Sequence, residues 1–378
     1  MRNSIKTFIL VAAVALASAA FAIEPPALSG VIFTYFLHDL TTAEEGELDG
    51  GSEFGLSRCY VTATGSVHEK VGYNVTGDVG RDSYTYYTYE PVFDPETGEL
   101  TNIVGTAHSR TGKLGFFLKY AYLDVKDVIP YHTISAGMIK PPFAPYDHGL
   151  WGWRVIRKTA FLERGYGDTA DIGLGISGSF GEGLVKHNLA VMNGGSFGTA
   201  EDPYSGKDVE YRLSVFPLVG DETRGGLSVN AVAKAENLGE VVPDGAVKNP
   251  VTIYGGLLGL KNSFTNFGAG YYMRSAGEGD FKYDGNIMSV YATGHFNATE
   301  GMSIHPLVRY DAFEPNTDVD DDEVTLIIGG VGFKFFDGAL ALIPNYQTEG
   351  YKEVDPLTGT TEDKSTDYAY LHCQFNWK

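Results

Sequence analysis

The chain is poor in cysteine and in basic residues, and each shortage excludes a class of protein. Two cysteines in 378 residues, Cys59 and Cys373, are too few for a disulfide-stapled scaffold. Lysine and arginine together number 28 against 48 aspartates and glutamates, which gives a net charge of −20. Because a nucleic-acid-binding protein needs a basic footprint, this balance argues against a nucleic-acid partner.

The sequence also lacks the motifs that carry most enzyme chemistry. Its 9 histidines are scattered without metal-ligand spacing, and there is no phosphate-binding G-x-x-x-x-G-K-[ST] loop. Residues 194–198 satisfy G-x-S-x-G, but a turn-rich segment follows where a serine hydrolase needs a helix. The acidic run 318–323 lacks the spacing of an EF-hand and is typical of a solvated loop rather than a calcium site. We predict no catalytic residues, no metal and no cofactor.

Long apolar runs of the length of a membrane-spanning helix are missing too. The N-terminal apolar stretch Phe8–Ala17 is shorter than such a helix, follows two basic residues and precedes Ala20-Phe21-Ala22. This is the pattern of a secretory signal peptide with an A-x-A cleavage site, so residues 1–22 are predicted to be removed after Ala22. No linker rich in proline or serine divides the rest, and 23–378 is predicted to form one domain.

What the chain does have is hydrophobicity that alternates with a period of two. In residues 70–79 the odd positions hold valines, a tyrosine and a glycine, whereas the even positions hold lysine, glycine, asparagine, threonine and aspartate. Such a segment forms a strand with one apolar and one polar face. Segments of this kind predict sixteen strands, at 31–37, 53–64, 68–79, 112–126, 131–139, 171–180, 184–193, 207–216, 224–236, 250–261, 265–275, 283–297, 301–313, 323–335, 339–349 and 367–377.

The connections between these strands differ in length. Tight ones fall at 181–183, 276–280 and 336–338, and long polar ones at 81–110, 140–170, 194–206, 237–249 and 350–366. Inside hydrocarbon every backbone N–H and C=O must be hydrogen-bonded, and closure of the sheet removes its two bare edges. The predicted fold class is therefore all-β, a closed antiparallel transmembrane β-barrel of about 16 strands with short periplasmic turns and long extracellular loops.

A barrel of this kind belongs in the outer membrane of a Gram-negative bacterium, with its outer face against lipid. The C-terminal segment Asp367–Trp377 agrees, since its odd-numbered residues from Ala369 onward are apolar and end in aromatics. It resembles the terminal strand that outer-membrane assembly machinery recognises, although Lys378 follows the final aromatic residue.

Seven segments are similar in order and spacing to the phosphate-selective porin O and P family. They are Gly137–Phe143, Phe161–Arg164, Asp171–Gly173, Leu189–Gly194, Lys207–Val209 with Arg212, Val308–Asp311 and Pro344–Tyr346. The resemblance covers most of residues 53–377. It implies a sixteen-stranded, often trimeric channel whose loops fold inward to narrow the lumen. The family's phosphate-binding ladder of arginines and lysines cannot be placed here residue by residue, which leaves the solute open.

The segment 148–165 reverses the acidic character of the chain. It contains Arg154, Arg157, Lys158 and Arg164 against a single acid, Glu163. If this loop enters the barrel, as the resemblance implies, the four bases would form a positive constriction that favours small anions. The alternative is that they lie on the surface, pair with nearby carboxylates and gate nothing.

Alternation also predicts which charges face the lumen. These lie opposite apolar neighbours and are Lys70, Asp78, Arg212, Lys234, Arg274, Arg309 and Asp311. Cys59 and Cys373 fall on apolar faces. They could bridge at the barrel seam, but a strand at 31–37 would separate them and leave two small lipid-facing side chains.

Taken together, these features predict a porin: a passive channel for small solutes that prefers anions, assembles as a homotrimer and is not an enzyme. A rival from another class is a non-conducting barrel that serves as an envelope scaffold or binds partners through its long loops. A third possibility is a soluble periplasmic β-sandwich, in which the apolar faces would pack on each other.

The first prediction separates the barrel from the sandwich. A barrel with an apolar outer face requires detergent to leave the membrane fraction, whereas a sandwich does not. Fractionation of expressing cells with and without detergent measures this. Release of the full-length protein by buffer alone would contradict the barrel.

Overall fold

The computed structural model describes residues 25–41, 51–93, 100–196, 206–217, 226–238, 250–277, 282–354 and 361–378. Within these ranges the side chains of 81–113 and 353–354 are not described. The predicted signal peptide and part of the G-x-S-x-G stretch lie outside the described residues. No helix in this part of the chain is long and apolar enough to cross a membrane.

The architecture is a single sheet with two short helices inside it. The strands are β1 Ala27–Asp39, β2 Ser52–His68, β3 Val71–Phe93, β4 Leu100–Lys126, β5 His132–Ile139, β6 Asp171–Phe180, β7 Val185–Met192, β8 Lys207–Val215, β9 Leu227–Leu238, β10 Val251–Lys261, β11 Thr265–Ala276, β12 Tyr283–Gly294 with its continuation Phe296–Thr299, β13 Met302–Glu314, β14 Val324–Phe335, β15 Leu340–Val354 and β16 Thr361–Trp377. The helices are α1 Ala144–Trp151 and α2 Ala160–Glu163.

All strands are antiparallel to their sequence neighbours, and β1 pairs with β16 as well as with β2, so the sheet closes. The result is the predicted closed antiparallel barrel of sixteen strands, and that prediction is confirmed. The seam runs from Gly30 opposite Trp377 to Asp39 opposite Tyr368. Closure leaves neither edge strand with an unpaired row of backbone groups along the seam.

The strand order at the seam also determines whether the two cysteines can form a disulfide. Ile32 of β1 lies opposite Cys59, and Thr34 lies opposite Cys373, so β1 separates the two thiols. Two strand spacings of about 4.8 Å exceed the roughly 7 Å that a disulfide allows between Cα atoms. Both cysteines are free, as expected.

Two of the predicted loops were wrong in extent. Residues 81–110 were expected to be a long polar loop, but β3 continues to Phe93 and pairs with β4 from Leu100 onward. The stretch 83–89 is built of serine, threonine and tyrosine, and the last two favour strands despite their polar groups. Likewise the expected loop 350–366 is shortened, because β15 runs to Val354 and β16 begins at Thr361.

The predicted tight turn 276–280 needs a different correction. It connects β11 to β12, and by strand direction it lies on the same rim as the long loops, not on the rim of short turns. Residues 278–281 lie outside the described part of the chain. Loop length alone therefore places this connection on the wrong rim, whereas counting the strands places it on the rim of the long loops.

The barrel interior contains the inward loop that the resemblance implied. The loop 140–170 folds into the barrel and packs against the inward residues of β9–β15. Ile253, Ile287 and Leu326 on the wall and Phe143 and Phe161 on the loop have no exposed surface. These residues belong to one apolar cluster. Half of the inner wall is thus a packed interface.

The sequence carries a signal for this interface. In β10 the inward Ile253 and Leu257 are buried, while the outward Tyr254 and Leu258 are 48% and 43% exposed. Both faces of that strand are therefore apolar, unlike the alternating start of β3 at residues 71–79. A near-continuous apolar run indicates a strand that is covered on both faces, here by lipid and by the loop.

A cross-strand cysteine tests the closure of the barrel. In a Cys59→Ser background, Thr34→Cys should form a disulfide with Cys373 on mild oxidation, because directly paired residues place their Cα atoms about 4.5–5.5 Å apart. Non-reducing electrophoresis and thiol counting measure the bridge. Leu28→Cys is the control, since its partner is Ala63 on the other side of β1. Equal behaviour of the two variants would contradict the seam.

A cavity in the interface tests the packing of the loop. Phe161→Ala should destabilise the protein by about 3–5 kcal/mol, the usual cost of deleting a buried phenyl ring. Because the cavity lies under the loop, the channel should also become wider or noisier. Thermal unfolding in detergent and single-channel recording measure both effects. Phe54→Ala, at a side chain that is 83% exposed, is the matched control and should change neither.

Candidate pore constriction

A proline and a glycine mark the two ends of α1, the first helix of the inward loop. Pro145 stands in the first turn of α1. A backbone N–H there would have no acceptor within the helix, so the lack of one in proline costs no helical hydrogen bond. Gly152 follows the helix with φ +76°, a left-handed conformation that favours glycine, and its N–H donates to the carbonyl of His148. The chain then turns back through 153–159 to α2. The turn carries Arg154, Arg157 and Lys158.

An aromatic cluster holds one side of the loop to the wall. The ring of Phe161 lies 4.8 Å from that of Phe143 and 5.0 Å from that of Tyr272, both edge to face. The ring of Trp151 lies 5.3 Å from that of Tyr291. Edge-to-face pairs add roughly 0.5–1.5 kcal/mol each to the gain from burial. The loop is therefore docked, not suspended in the lumen.

Hydrogen bonds fix the position of the loop along the wall. Tyr291 donates its hydroxyl proton to Asp147 Oδ1 at 2.9 Å, and the backbone N–H of Phe143 donates to Glu210 Oε1 at 2.7 Å. Burial raises the pKa of Asp147 to about 6. The Trp153 indole N–H donates to Thr293 Oγ1 at 3.1 Å. These bonds satisfy polar groups that water cannot reach, which makes each costly to remove.

The opposite side of the loop faces two cavities. One, of about 480 Å³, lies against Val31, Tyr60 and Trp377, and we call it the lower cavity. The other, of about 310 Å³, lies against Tyr35 and Tyr370, and we call it the upper cavity. Strand direction places the lower cavity toward the short turns and the upper one toward the long loops.

Arg154 stands between the two cavities. It is the residue that lines both of them. In the described part of the chain, the Arg154 guanidinium forms no ion pair with a carboxylate, although Glu163 and Asp78 act on it electrostatically. Burial lowers its pKa, but an arginine remains charged at any physiological pH. Burial also lowers the pKa of the adjacent His148 well below its usual range, so that ring adds no charge.

Further cations line the two cavities, and the sequence analysis missed them. Arg58 on β2 faces the upper cavity, while Lys119 on β4, Lys140 directly after β5 and Lys378 face the lower one. Arg58 Nη1 pairs with Asp78 Oδ2 at 2.7 Å, and Lys119 Nζ lies 4.0 Å from the same oxygen. Cations therefore line both cavities outside the basic turn as well as on it.

A bulge explains why Lys119 was missed. Thr76 lies opposite Tyr120 and Gly77 lies opposite Leu118, so Lys119 is an extra residue in β4. A bulge interrupts the alternation of faces, and both Lys119 and Tyr120 line the lower cavity. Arg58 had a usable signal, because it shares the even-numbered face of β2 with Tyr60 and Thr62.

The four loop bases predicted as a constriction divide into two groups. Arg154, Arg157 and Lys158 line the upper cavity, and Arg164 does not. Arg164 Nη2 pairs with Glu349 Oε1 at 3.2 Å, and Arg157 Nη2 pairs with Glu349 Oε2 at 2.6 Å. Arg164 and Arg157 therefore show the carboxylate pairing that the alternative expected, although both lie inside the barrel and Arg157 also lines the upper cavity.

Several charges predicted to face the lumen lie beneath the loop instead of in a cavity. The Arg309 guanidinium is fully buried against Asp311 and donates to the Lys158 carbonyl. Lys234 Nζ pairs with Glu236 at 2.7 Å and with Asp208 at 3.3 Å. Arg212 and Arg274 stack on loop tyrosines, with the guanidinium carbons 4.9 Å and 6.0 Å from the ring centroids of Tyr146 and Tyr166.

Two further predicted positions have opposite outcomes. Asp78 points inward, has no exposed surface and pairs with Arg58. Lys70 does not face the interior, because it lies in the exposed two-residue turn between β2 and β3. The period of two was extended one residue before the start of β3 at Val71, into a turn where the backbone does not alternate.

Comparison with known proteins gives a likeness of fold. The chain matches no family model and no curated protein. Among solved structures it is similar to the anion-selective porin from Comamonas acidovorans (TM-score 0.57, 10% identity, 93% of this chain and 99% of that one). It is also similar to the high-pH structure of OprB of Pseudomonas putida (TM-score 0.58, 8% identity, 93% of this chain and 94% of that one). The trimer form of OmpT, an outer membrane protein of Vibrio cholerae, is similar with a TM-score of 0.54 and 12% identity over 93% of this chain and 99% of that one. The chain has the fold of outer-membrane porins.

Proposed function

We propose that the protein is an outer-membrane porin, a water-filled channel through which small solutes diffuse passively, with a preference for anions and without covalent catalysis. The observation that carries this proposal is the pair of cavities that meet at Arg154. Solutes would cross between the docked loop and the wall formed by β16, β1, β2, β3 and β4.

The charges along this path support the anion preference. The lining cations are Arg58, Lys119, Lys140, Arg154, Arg157, Lys158 and Lys378, and the one side-chain carboxylate among the described lining residues is Glu163. The chain as a whole carries a net charge of −20, so the path has the opposite sign to the protein. Cationic rings at a narrow, low-dielectric passage concentrate anions and repel cations.

The outer surface supports insertion in a membrane. Outward side chains such as Leu174, Val308 and Leu371 are 61%, 53% and 39% exposed to the surroundings of the barrel. On the rim of short turns, Phe264 and Phe336 are 72% and 73% exposed. An apolar band bordered by aromatic residues is typical of barrels in lipid.

Export and assembly complete the proposal. The signal peptide at 1–22 would direct the chain across the inner membrane, and cleavage after Ala22 would release the barrel for insertion. We propose a homotrimer, because one of the structures with the same fold is the trimer form of OmpT.

Reconstitution in a planar bilayer tests the channel. The purified protein should give stepwise increases in conductance, and a salt gradient should give a reversal potential of the sign for anion selectivity. A silent bilayer at protein levels that insert would contradict the porin and favour the non-conducting scaffold. Stepwise conductance with cation selectivity would retain the channel and reject the anion preference.

Neutralising Arg154 tests the constriction. Arg154→Gln should lower the anion-to-cation permeability ratio by about fivefold, since a unit charge a few ångströms from a hydrated ion is worth about 1 kcal/mol. Arg154→Lys should retain most of the ratio. Lys282→Gln removes the same charge from an exposed site on the loop rim and serves as the matched control. The constriction is refuted if the two glutamine variants have the same selectivity.

A further inference from the structure

One wall of the upper cavity is formed by aromatic rings, whose faces offer an inorganic anion no favourable interaction. The rings of Tyr370 and His372 on β16 stack with centroids 4.7 Å apart and an angle of 25° between planes. The ring of Tyr35 on β1 lies 6.0 Å from each of them. All three residues line the upper cavity.

The loop wall of the same cavity carries both cationic and apolar side chains. The loop contributes Arg154, Arg157 and Lys158 together with Val155 and Ile156. Its carboxylate, Glu163, lies 3.4 Å from Arg157 Nε and is paired with it. A chloride or phosphate ion gains from the cations but gains nothing from ring faces, which carry partial negative charge. The combination suits a solute that has an anionic group and a flat apolar body.

The lower cavity is built differently, and the contrast is informative. There the rings of Tyr60 and Tyr120 lie under a lysine, with Lys119 Nζ 5.5 Å and 5.8 Å from their centroids. Lys140 Nζ lies 5.1 Å from the Tyr120 ring. These rings hold cations in place. In the upper cavity the rings stack on one another and form a surface of their own.

We propose that the upper cavity is a binding subsite for aromatic carboxylates. The carboxylate would be held by Arg154 and Lys158, and the ring would lie between Ile156 and the surface formed by Tyr35 and Tyr370. At about 310 Å³ the cavity falls at the lower end of the usual size range for small-ligand sites, which suits a single-ring solute. This inference deepens the proposed function, because transit of such a solute rests on the channel being open.

Benzoate is the probe, with acetate and cyclohexanecarboxylate as comparisons that lack the aromatic ring. Added to a channel that conducts chloride, benzoate should interrupt the current with an apparent dissociation constant about tenfold lower than that of acetate, the factor that about 1.4 kcal/mol of stacking and burial supplies. Cyclohexanecarboxylate should lie between the two. Equal constants for benzoate and acetate would overturn the subsite and leave the anion-selective channel standing.

Substitutions assign the effect to the two walls. Tyr370→Leu should raise the benzoate constant to about that of cyclohexanecarboxylate and leave the acetate constant less affected than the benzoate constant. Arg154→Gln should weaken benzoate and acetate alike. Tyr271→Leu removes an outward tyrosine that is 48% exposed and is the matched control. A Tyr370→Leu variant that binds benzoate as the parent does would overturn the aromatic wall.

Calorimetry separates failure of the subsite from failure of the channel. Benzoate titrated into the detergent-solubilised protein should release heat, and Tyr370→Leu should raise the fitted dissociation constant, whether or not the bilayer conducts. Binding without conductance would retain the subsite and contradict the porin. Conductance in a protein that binds benzoate no more tightly than acetate would retain the porin and contradict the subsite.

Discussion

The arrangement of the barrel interior depends on the docking of one loop through the ring of Phe161. That ring packs between Phe143 of the loop and Tyr272 of the wall, and all three are almost completely buried. Because the loop covers the inner face of β9–β15, the two cavities, and with them the proposed solute path, lie in the other half of the barrel. The arginines on the turn after α1 line these cavities, and Arg157 also pairs with Glu349. Burial of apolar side chains inside the barrel therefore determines where the basic turn of the loop lies.

The charges of the interior serve two purposes that their surroundings distinguish. Arg309 and Lys234 are buried and bound to carboxylates, so they anchor structure and present little field to a passing ion. Arg154 is not held by an ion pair among the described residues, so its charge is directed at solvent in the two cavities. A buried pair costs desolvation that its partner offsets, whereas an uncompensated cation at a water-filled passage keeps its field.

The fold was predictable because the period of two is imposed by the membrane itself, and the strand positions follow it closely. The basic turn containing Arg154 was also predictable, since four bases in an acidic chain are conspicuous. Three features were not. The bulge that turns Lys119 inward breaks the periodicity on which the prediction depends. Glu349, which pairs with Arg157 and Arg164, is almost two hundred residues away in sequence. The apolar inner wall left a trace only in strands such as β10, which are apolar on both faces.

The seam between β1 and β16 has a consequence for how the protein is assembled. Tyr35 belongs to the first strand, and Tyr370 and His372 belong to the last, so the aromatic surface is made from the two ends of the chain. A partly inserted barrel whose first and last strands have not met possesses neither that surface nor a sealed conduit. The same backbone hydrogen bonds that close the barrel therefore also bring the two halves of this aromatic surface together.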